Sequence, residues 1–158
     1  MSEEARTAAY EALGAAARAL MDGETDLIAN AANIAALLYT ELADVNWAGF
    51  YFVRDGELVV GPFQGKPACV RIPFGEGVCG TAAATRKTQR VADVHSFDGH
   101  IACDVASNSE IVIPLLRDDE LIGVLDIDSP SFNRFDAVDQ AGLESIARDF
   151  VASLCKRS

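Results

Sequence analysis

The sequence predicts an α+β fold, a central and mostly antiparallel sheet flanked by helices. Three observations predict it: helical periodicity at the start of the chain, two turn-punctuated strand pairs in the middle, and a closing amphipathic helix. Ala8, Leu13, Ala16, Ala17 and Leu20 recur near the helical period of about 3.6, until Met21-Asp22-Gly23-Glu24-Thr25 breaks the pattern. Leu27, Ile28, Ala31, Ile34, Ala35, Leu38 and Leu42 form a second helical stripe. The period then changes to that of strands. Asn46 to Arg54 is aromatic-rich, Asp55-Gly56 signals a hairpin turn, and Leu58 to Phe63 resumes as a strand. A third strand is expected from Ala68 to Ile72, a loop at Pro73 to Gly77, a small-residue helix from Val78 to Thr85 and a short strand at Arg90 to Ala92. Asp93 to Asn108 has no sustained period, and irregular stretches of about this length inside a compact domain are usually functional. Glu110 to Arg117 and Leu121 to Asp128 form a hairpin about Asp118-Asp119. Asp136 to Leu154 is a helix with Val138, Leu143, Ile146, Phe150 and Val151 on one side. No repeat or linker interrupts the chain, so one domain is expected over residues 1–158.

Composition removes several function classes. The 158 residues are 50% hydrophobic and 23% charged, which excludes a disordered or collagenous chain. No apolar run approaches the roughly 18 residues a spanning helix needs. Met1-Ser2-Glu3-Glu4 is acidic, the opposite of a signal peptide. With 13 basic and 24 acidic side chains the net charge is −11, which repels nucleic acid and anionic lipid. Neither is expected as a partner. Four cysteines without a signal peptide point to reduced thiols and a cytoplasmic location.

Four groups of residues carry possible chemistry. Cys69, Cys79 and Cys103 match no close-paired zinc spacing, and each borders an irregular segment. They fit either thiol redox exchange or structural roles, and the residues alone leave both open. Cys79 follows Gly75-Glu76-Gly77 at a helix start, where a thiolate gains stability from the helix dipole. Cys155, in the last helix, reads as a small buried hydrophobe. Asp126 and Asp128 alternate with Ile127, so their carboxylates share a strand face, and hairpin pairing brings Glu110 beside them. Three acids there are either a solvated face or a pocket for a cation or acid catalyst; crowding would raise at least one pKa. Trp47 and Tyr51 share one strand face, and Phe50 and Phe52 the other. One face must be core; Trp47 and Tyr51 either wall a pocket or pack under helices. His95 and His100 fit a metal pair or, more simply, loop hydrogen bonding.

Several linked segments give the chain a family resemblance. Asn46-Trp-Ala-Gly-Phe-Tyr51, Gly61-Pro-Phe-Gln-Gly-Lys66, Ala68-Cys-Val-Arg-Ile-Pro73, Gly75-Glu-Gly-Val-Cys-Gly-Thr81, Asp93-Val-His95, Phe97-Asp-Gly-His-Ile-Ala-Cys-Asp104, Ala106-Ser-Asn-Ser-Glu-Ile111 and Gly123-Val-Leu-Asp-Ile-Asp-Ser129 occur in order. Together they closely resemble the free methionine-(R)-sulfoxide reductases, stand-alone enzymes built on the GAF domain. The segment around Asp98-Gly-His-Ile-Ala-Cys103 is the most specific, since a generic GAF domain has no reason to contain it. The resemblance covers the chain from the second helix onward; residues 1 to about 20 look less family-like.

The resemblance implies a single GAF domain that reduces free L-methionine-(R)-sulfoxide with thiols alone, needing neither metal nor cofactor. It implies Cys103 as the attacking thiol, Cys69 as the resolving thiol and Cys79 as an auxiliary that can also resolve. Glu110, Asp126 and Asp128 would bind substrate, Glu110 and Asp128 assisting proton transfer, with Trp47 and Tyr51 around the methylthio end. Thioredoxin would recycle the disulfide, and a homodimer is implied as the assembly. Two rival readings remain at this point, a non-catalytic GAF sensor of a small ligand and a redox thiol switch without turnover.

Overall fold

Side-chain caps set the first two helix starts. Ser2 accepts the Ala5 N–H and opens α1 (Glu3–Met21); Asp26 accepts the Ala29 N–H and opens α2 (Leu27–Glu41). The structure, a computed structural model, describes residues 1–99 and 106–155. His100 and Cys103 therefore lie outside the described residues.

After α2 the chain turns to strands. β1 (Trp47–Arg54) and β2 (Glu57–Gly65) form a hairpin in which Asp55 and Gly56 take φ of 52° and 80°, the left-handed pair whose twist matches the flanking strands. β3 (Arg71–Pro73), α3 (Gly77–Thr85), β4 (Gln89–Val91) and a 3-10 turn at Val94–Ser96 follow. β5 (Ser109–Arg117) and β6 (Glu120–Ser129) make the second hairpin about Asp118-Asp119, and α4 (Ala137–Ser153) follows it. The strands form one six-stranded sheet in the order β3-β2-β1-β6-β5-β4, with every neighbouring pair antiparallel. The expected α+β architecture is present.

Strand alternation divides the sheet into two differently used faces. Ala48, Phe50, Phe52, Ile111, Ile113, Leu115, Leu125 and Ile127 point to one side and pack against Ile34, Leu38, Leu143, Ile146 and Phe150 of α2 and α4. This is the main core, and it explains Phe50 and Phe52 without any ligand. Trp47, Tyr51, Leu58, Val112 and Val124 point to the other side, where α3 covers them with Val78, Cys79, Ala82 and Ala83.

The third strand is shorter than expected, Arg71–Pro73 against Ala68–Ile72. The Trp47 indole N–H donates to the Lys66 carbonyl at 3.1 Å and the Tyr51 hydroxyl to the Cys69 carbonyl at 3.0 Å. Residues 66–69 thus spend backbone acceptors on side chains instead of on a ladder. Cys155 also departs from expectation: it lies past the end of α4 and is an exposed free thiol, not a buried hydrophobe. The chain has left the helix there, so its side chain no longer follows the apolar stripe.

Helix α1 docks on α4 through charge. Arg6 forks onto Asp136 at 2.6 and 2.7 Å and reaches Asp139 at 3.0 Å, while the Tyr10 hydroxyl donates to Asp139 at 2.6 Å and Arg134 lies 3.2 Å from it. Asp139, at 2% exposure, also closes a capping box with Asp136 at the start of α4. Removing one partner of a buried ion cluster strands the others without compensation. Asp139→Ala is accordingly expected to destabilise the fold by about 3 kcal/mol or more, read by denaturant unfolding. A loss under about 1 kcal/mol would mean that α1 is held by apolar contact alone.

Candidate functional site

Strand register builds the site. Across β1 and β6, Trp47 faces Asp128, Gly49 faces Asp126 and Tyr51 faces Val124; across β5 and β6, Glu110 faces Asp128 and Val112 faces Asp126. Directly opposed residues point to the same face of a sheet. Glu110, Asp126 and Asp128 therefore converge beside Trp47 and Tyr51, as the hairpin argument requires. Gly49 makes room for this wall: a Cβ there would come within 2.3 Å of the Phe63 Cβ. Phe63 stacks on Trp47 at 5.1 Å between ring centroids, and Trp47 stacks on Tyr51 at 5.9 Å.

Helix α3 is the lid of the pocket. A Cβ on Gly80 would lie 2.5 Å from the Pro73 carbonyl, so only glycine lets the first turn of α3 sit this close to the preceding loop. That approach holds Cys79 over the acids. The resulting pocket is lined by Trp47, Tyr51, Cys79, Glu110, Asp126 and Asp128. Ser107 lines it as well. Nothing in the sequence reading singled out Ser107; its position beside Asn108 and Glu110, where the irregular stretch enters β5, was the available signal.

The electrostatics are unusual for a protein surface. Cys79 Sγ lies 3.9 Å from Glu110 Oε2, and ligand-type atoms of Cys79, Glu110 and Asp126 fall within 4.8 Å of one another. Asp126 is 5% exposed, and its Oδ1 is buried without a hydrogen-bond partner. The solvated-face alternative for these acids does not hold. Two carboxylates this close repel by about 4 kcal/mol at an effective dielectric near 20. Keeping a proton on an ordinary carboxyl at neutral pH costs about the same, near 4 kcal/mol. Burial tips the balance toward protonation. Burial first, and the neighbouring charge of Asp126, push the Glu110 carboxyl well above the usual range; burial and Asp128 do the same to Asp126.

The Cys79 expectation is corrected by the same physics. Its place in the first turn of α3 favours a thiolate, but burial and the carboxylates of Asp126, Glu110 and Asp128 push the thiol up instead. The local helix dipole, worth at most about 2 kcal/mol, loses to desolvation and adjacent anions. Burial and these carboxylates also raise the Tyr51 phenol, which stays neutral and donates to Cys69.

A stability consequence follows from the raised carboxyls. Their folded-state pKa values exceed the unfolded ones, so the stabilising contribution is complete below the ordinary carboxylate range and is lost as pH rises through the raised values. At neutral pH the cluster opposes folding. Asp126→Asn is expected to raise the melting temperature at neutral pH, with the gain vanishing toward about pH 4. Thermal unfolding across that range checks it; a gain independent of pH would contradict the charge argument.

The remaining candidate residues sit at the margin. Cys69 is disulfide-bonded, half-buried, and adjacent to Ala68, which lines the pocket. Cys103 lies outside the described residues, but the chain on either side of that segment reaches the site. Gly99 accepts the Gly77 N–H at 2.9 Å at the start of α3, and Ser107 lines the pocket. His95 is exposed and lies 2.9 Å from Asn108 Oδ1, the loop hydrogen-bonding role. Its expected companion His100 is outside the described residues.

Comparison with known proteins agrees with this geometry. The GAF domain family model matches residues 23–154. The free methionine-R-sulfoxide reductase of Escherichia coli strain K12 is 58% identical over 151 residues, covering 96% of this chain and 89% of its own. The chain belongs to the GAF-domain free methionine-R-sulfoxide reductases. Solved structures of this family superpose closely. The reduced form of the Staphylococcus aureus fRMsr has a TM-score of 0.90 at 52% identity, covering 92% of this chain and 95% of that one. The Neisseria meningitidis free methionine-R-sulfoxide reductase, solved in complex with its substrate, has a TM-score of 0.90 at 43% identity, covering 94% and 89%. The family match begins after α1, the segment that also looked least family-like in the sequence.

Proposed function

We propose that the chain reduces free methionine-(R)-sulfoxide to methionine, with Cys103 as the attacking thiol. The observation that carries the reading is the acid cluster of half-buried Glu110 and buried Asp126, set against Trp47 and Tyr51 with no Lys or Arg among the described lining residues. A free amino acid brings to such a pocket both an ammonium for the carboxylates and an apolar methylthio end for the aromatic wall. A phosphate-bearing ligand would meet only repulsion there, which disfavours a nucleotide sensor.

The chemistry proceeds in three balanced steps. The Cys103 thiolate attacks the sulfoxide sulfur while a protonated carboxyl, Glu110 or Asp128, gives its proton to the sulfoxide oxygen, forming a tetracoordinate sulfur adduct. The hydroxyl passes to the Cys103 sulfur as the bond between the two sulfurs breaks, so methionine leaves with both electrons and Cys103 is oxidised to the sulfenic acid. The Cys69 thiol displaces water from it to form a disulfide, which a dithiol then reduces to restore both thiols. Cys79 is the auxiliary resolving thiol, and its raised pKa makes it slower than Cys69 in that role. Asp126 or Asp128 pairs with the ammonium. The oxidised state of Cys69 supports its redox role.

The same reading carries thioredoxin as the reductant, a homodimer as the assembly and the cytoplasm as the location. Among the described residues no helix is long and apolar enough to cross a membrane. Residues 1–158 are read as one GAF domain, supported by the Arg6, Asp136 and Asp139 contacts that tie α1 to α4. Steady-state turnover of resolved epimers with thioredoxin and its reductase tests the function. Consumption of the free R epimer, with the S epimer and peptide-bound sulfoxide left intact, is the expected result. No consumption of any epimer would return the chain to the sensor or switch readings.

A further inference from the structure

We propose that Cys79, Glu110 and Asp126 form a binding site for a thiophilic divalent cation of the zinc class. The three donors come from α3, β5 and β6, so folding alone assembles them. Each offers one ligand atom, a thiol sulfur and two carboxylate oxygens, all within 4.8 Å of one another. Zinc bonds of about 2.3 Å to sulfur and 2.0–2.2 Å to oxygen require ligand atoms roughly 3.5 Å apart, so side-chain shifts of about 1 Å complete the shell.

A second observation points to a cation independently of the clustering. Asp126 Oδ1 is buried and has no hydrogen-bond partner. An orphaned buried acceptor costs about 1–3 kcal/mol, and a bound cation removes that cost. The described lining residues include no Lys or Arg to do so from within. The sulfur donor decides the class of ion. Magnesium and calcium prefer all-oxygen shells, whereas a thiolate with carboxylates suits zinc. Three protein ligands leave a fourth position for water or for Asp128, which lines the same pocket. These residues also line the proposed substrate pocket, so a cation bound here competes with the substrate ammonium, and the metal has no catalytic role.

The test uses disulfide-intact protein carrying Cys155→Ser, which keeps the bridged Cys69 and the exposed Cys155 from competing for metal. Zn²⁺ alone is titrated against a chromophoric chelator. One ion per chain is expected, with Cys79→Ser and Asp126→Asn each weakening affinity at least about tenfold. Co²⁺ in place of Zn²⁺ should give a thiolate-to-cobalt charge-transfer band in the near ultraviolet that Cys79→Ser removes. The cobalt spectrum of the Cys155→Ser protein needs no Cys79 or Asp126 variant to fold, so it stands if either is unstable. Absence of that band, or zinc affinity unchanged by Cys79→Ser, would overturn the site. The readouts are affinity and spectrum rather than turnover, so failure of this proposal and failure of the reductase reading are seen separately.

Discussion

Cys103→Ser is expected to abolish methionine formation altogether, a single turnover included. Attack on a sulfoxide sulfur needs a polarisable, deprotonated nucleophile. A thiol supplies one at neutral pH and a serine hydroxyl, without an activating base, does not. No second thiol takes over the attack, because Cys79 is buried and held protonated by burial and the acids around it. Cys69→Ser provides the contrast. It leaves attack intact and removes the resolving thiol, so about one methionine per enzyme is released before turnover slows to the rate Cys79 sustains. Quantifying methionine against enzyme separates the two variants. Equal bursts from both would assign the attack to another residue.

Glu110→Gln and Asp128→Asn should each lower turnover by about 10²–10⁴, the usual worth of a general acid. The amides are nearly isosteric with the carboxyls they replace, so the fold stays intact and the loss reads as chemistry. An amide cannot deliver the proton the sulfoxide oxygen needs, nor offset a substrate ammonium. The two effects divide between constants: loss of the acid appears in kcat, loss of the ammonium partner in KM. Wild-type turnover in both variants would remove the acid and ammonium roles together.

Much of this site was legible as strand arithmetic. The Asp118-Asp119 turn sets Arg117 opposite Glu120, and a bulge between Leu115 and Leu116 shifts the pairing by one residue, so that Glu110 faces Asp128 and not Ile127. Alternation along β1 likewise sorts Trp47 and Tyr51 from Phe50 and Phe52. Burial was not legible. Two acids on a strand face look the same in sequence whether they meet solvent or a helix, and the covering helix α3 (Gly77–Thr85) lies well before β5 (Ser109–Arg117) in the chain. The Cys79 expectation failed for this reason: a helix start is a local feature, whereas the acids that oppose its thiolate arrive from β5 and β6. The end of α4 illustrates a smaller limit, because the apolar stripe does not say where the helix stops, and Cys155 falls just beyond it. The role of α1 was also hidden, since its docking rests on Arg6 meeting Asp136 and Asp139 across 130 residues or more of chain.

The most direct measurement is methionine released per chain when fully reduced enzyme, without added reductant, meets the free R epimer, followed by mass mapping of the disulfide formed. The account predicts a burst of about one methionine per chain in wild type, a Cys69–Cys103 bridge in the product, and no burst in Cys103→Ser. Stoichiometric methionine from the Cys103→Ser enzyme, or a wild-type product whose bridge involves Cys155, would contradict it.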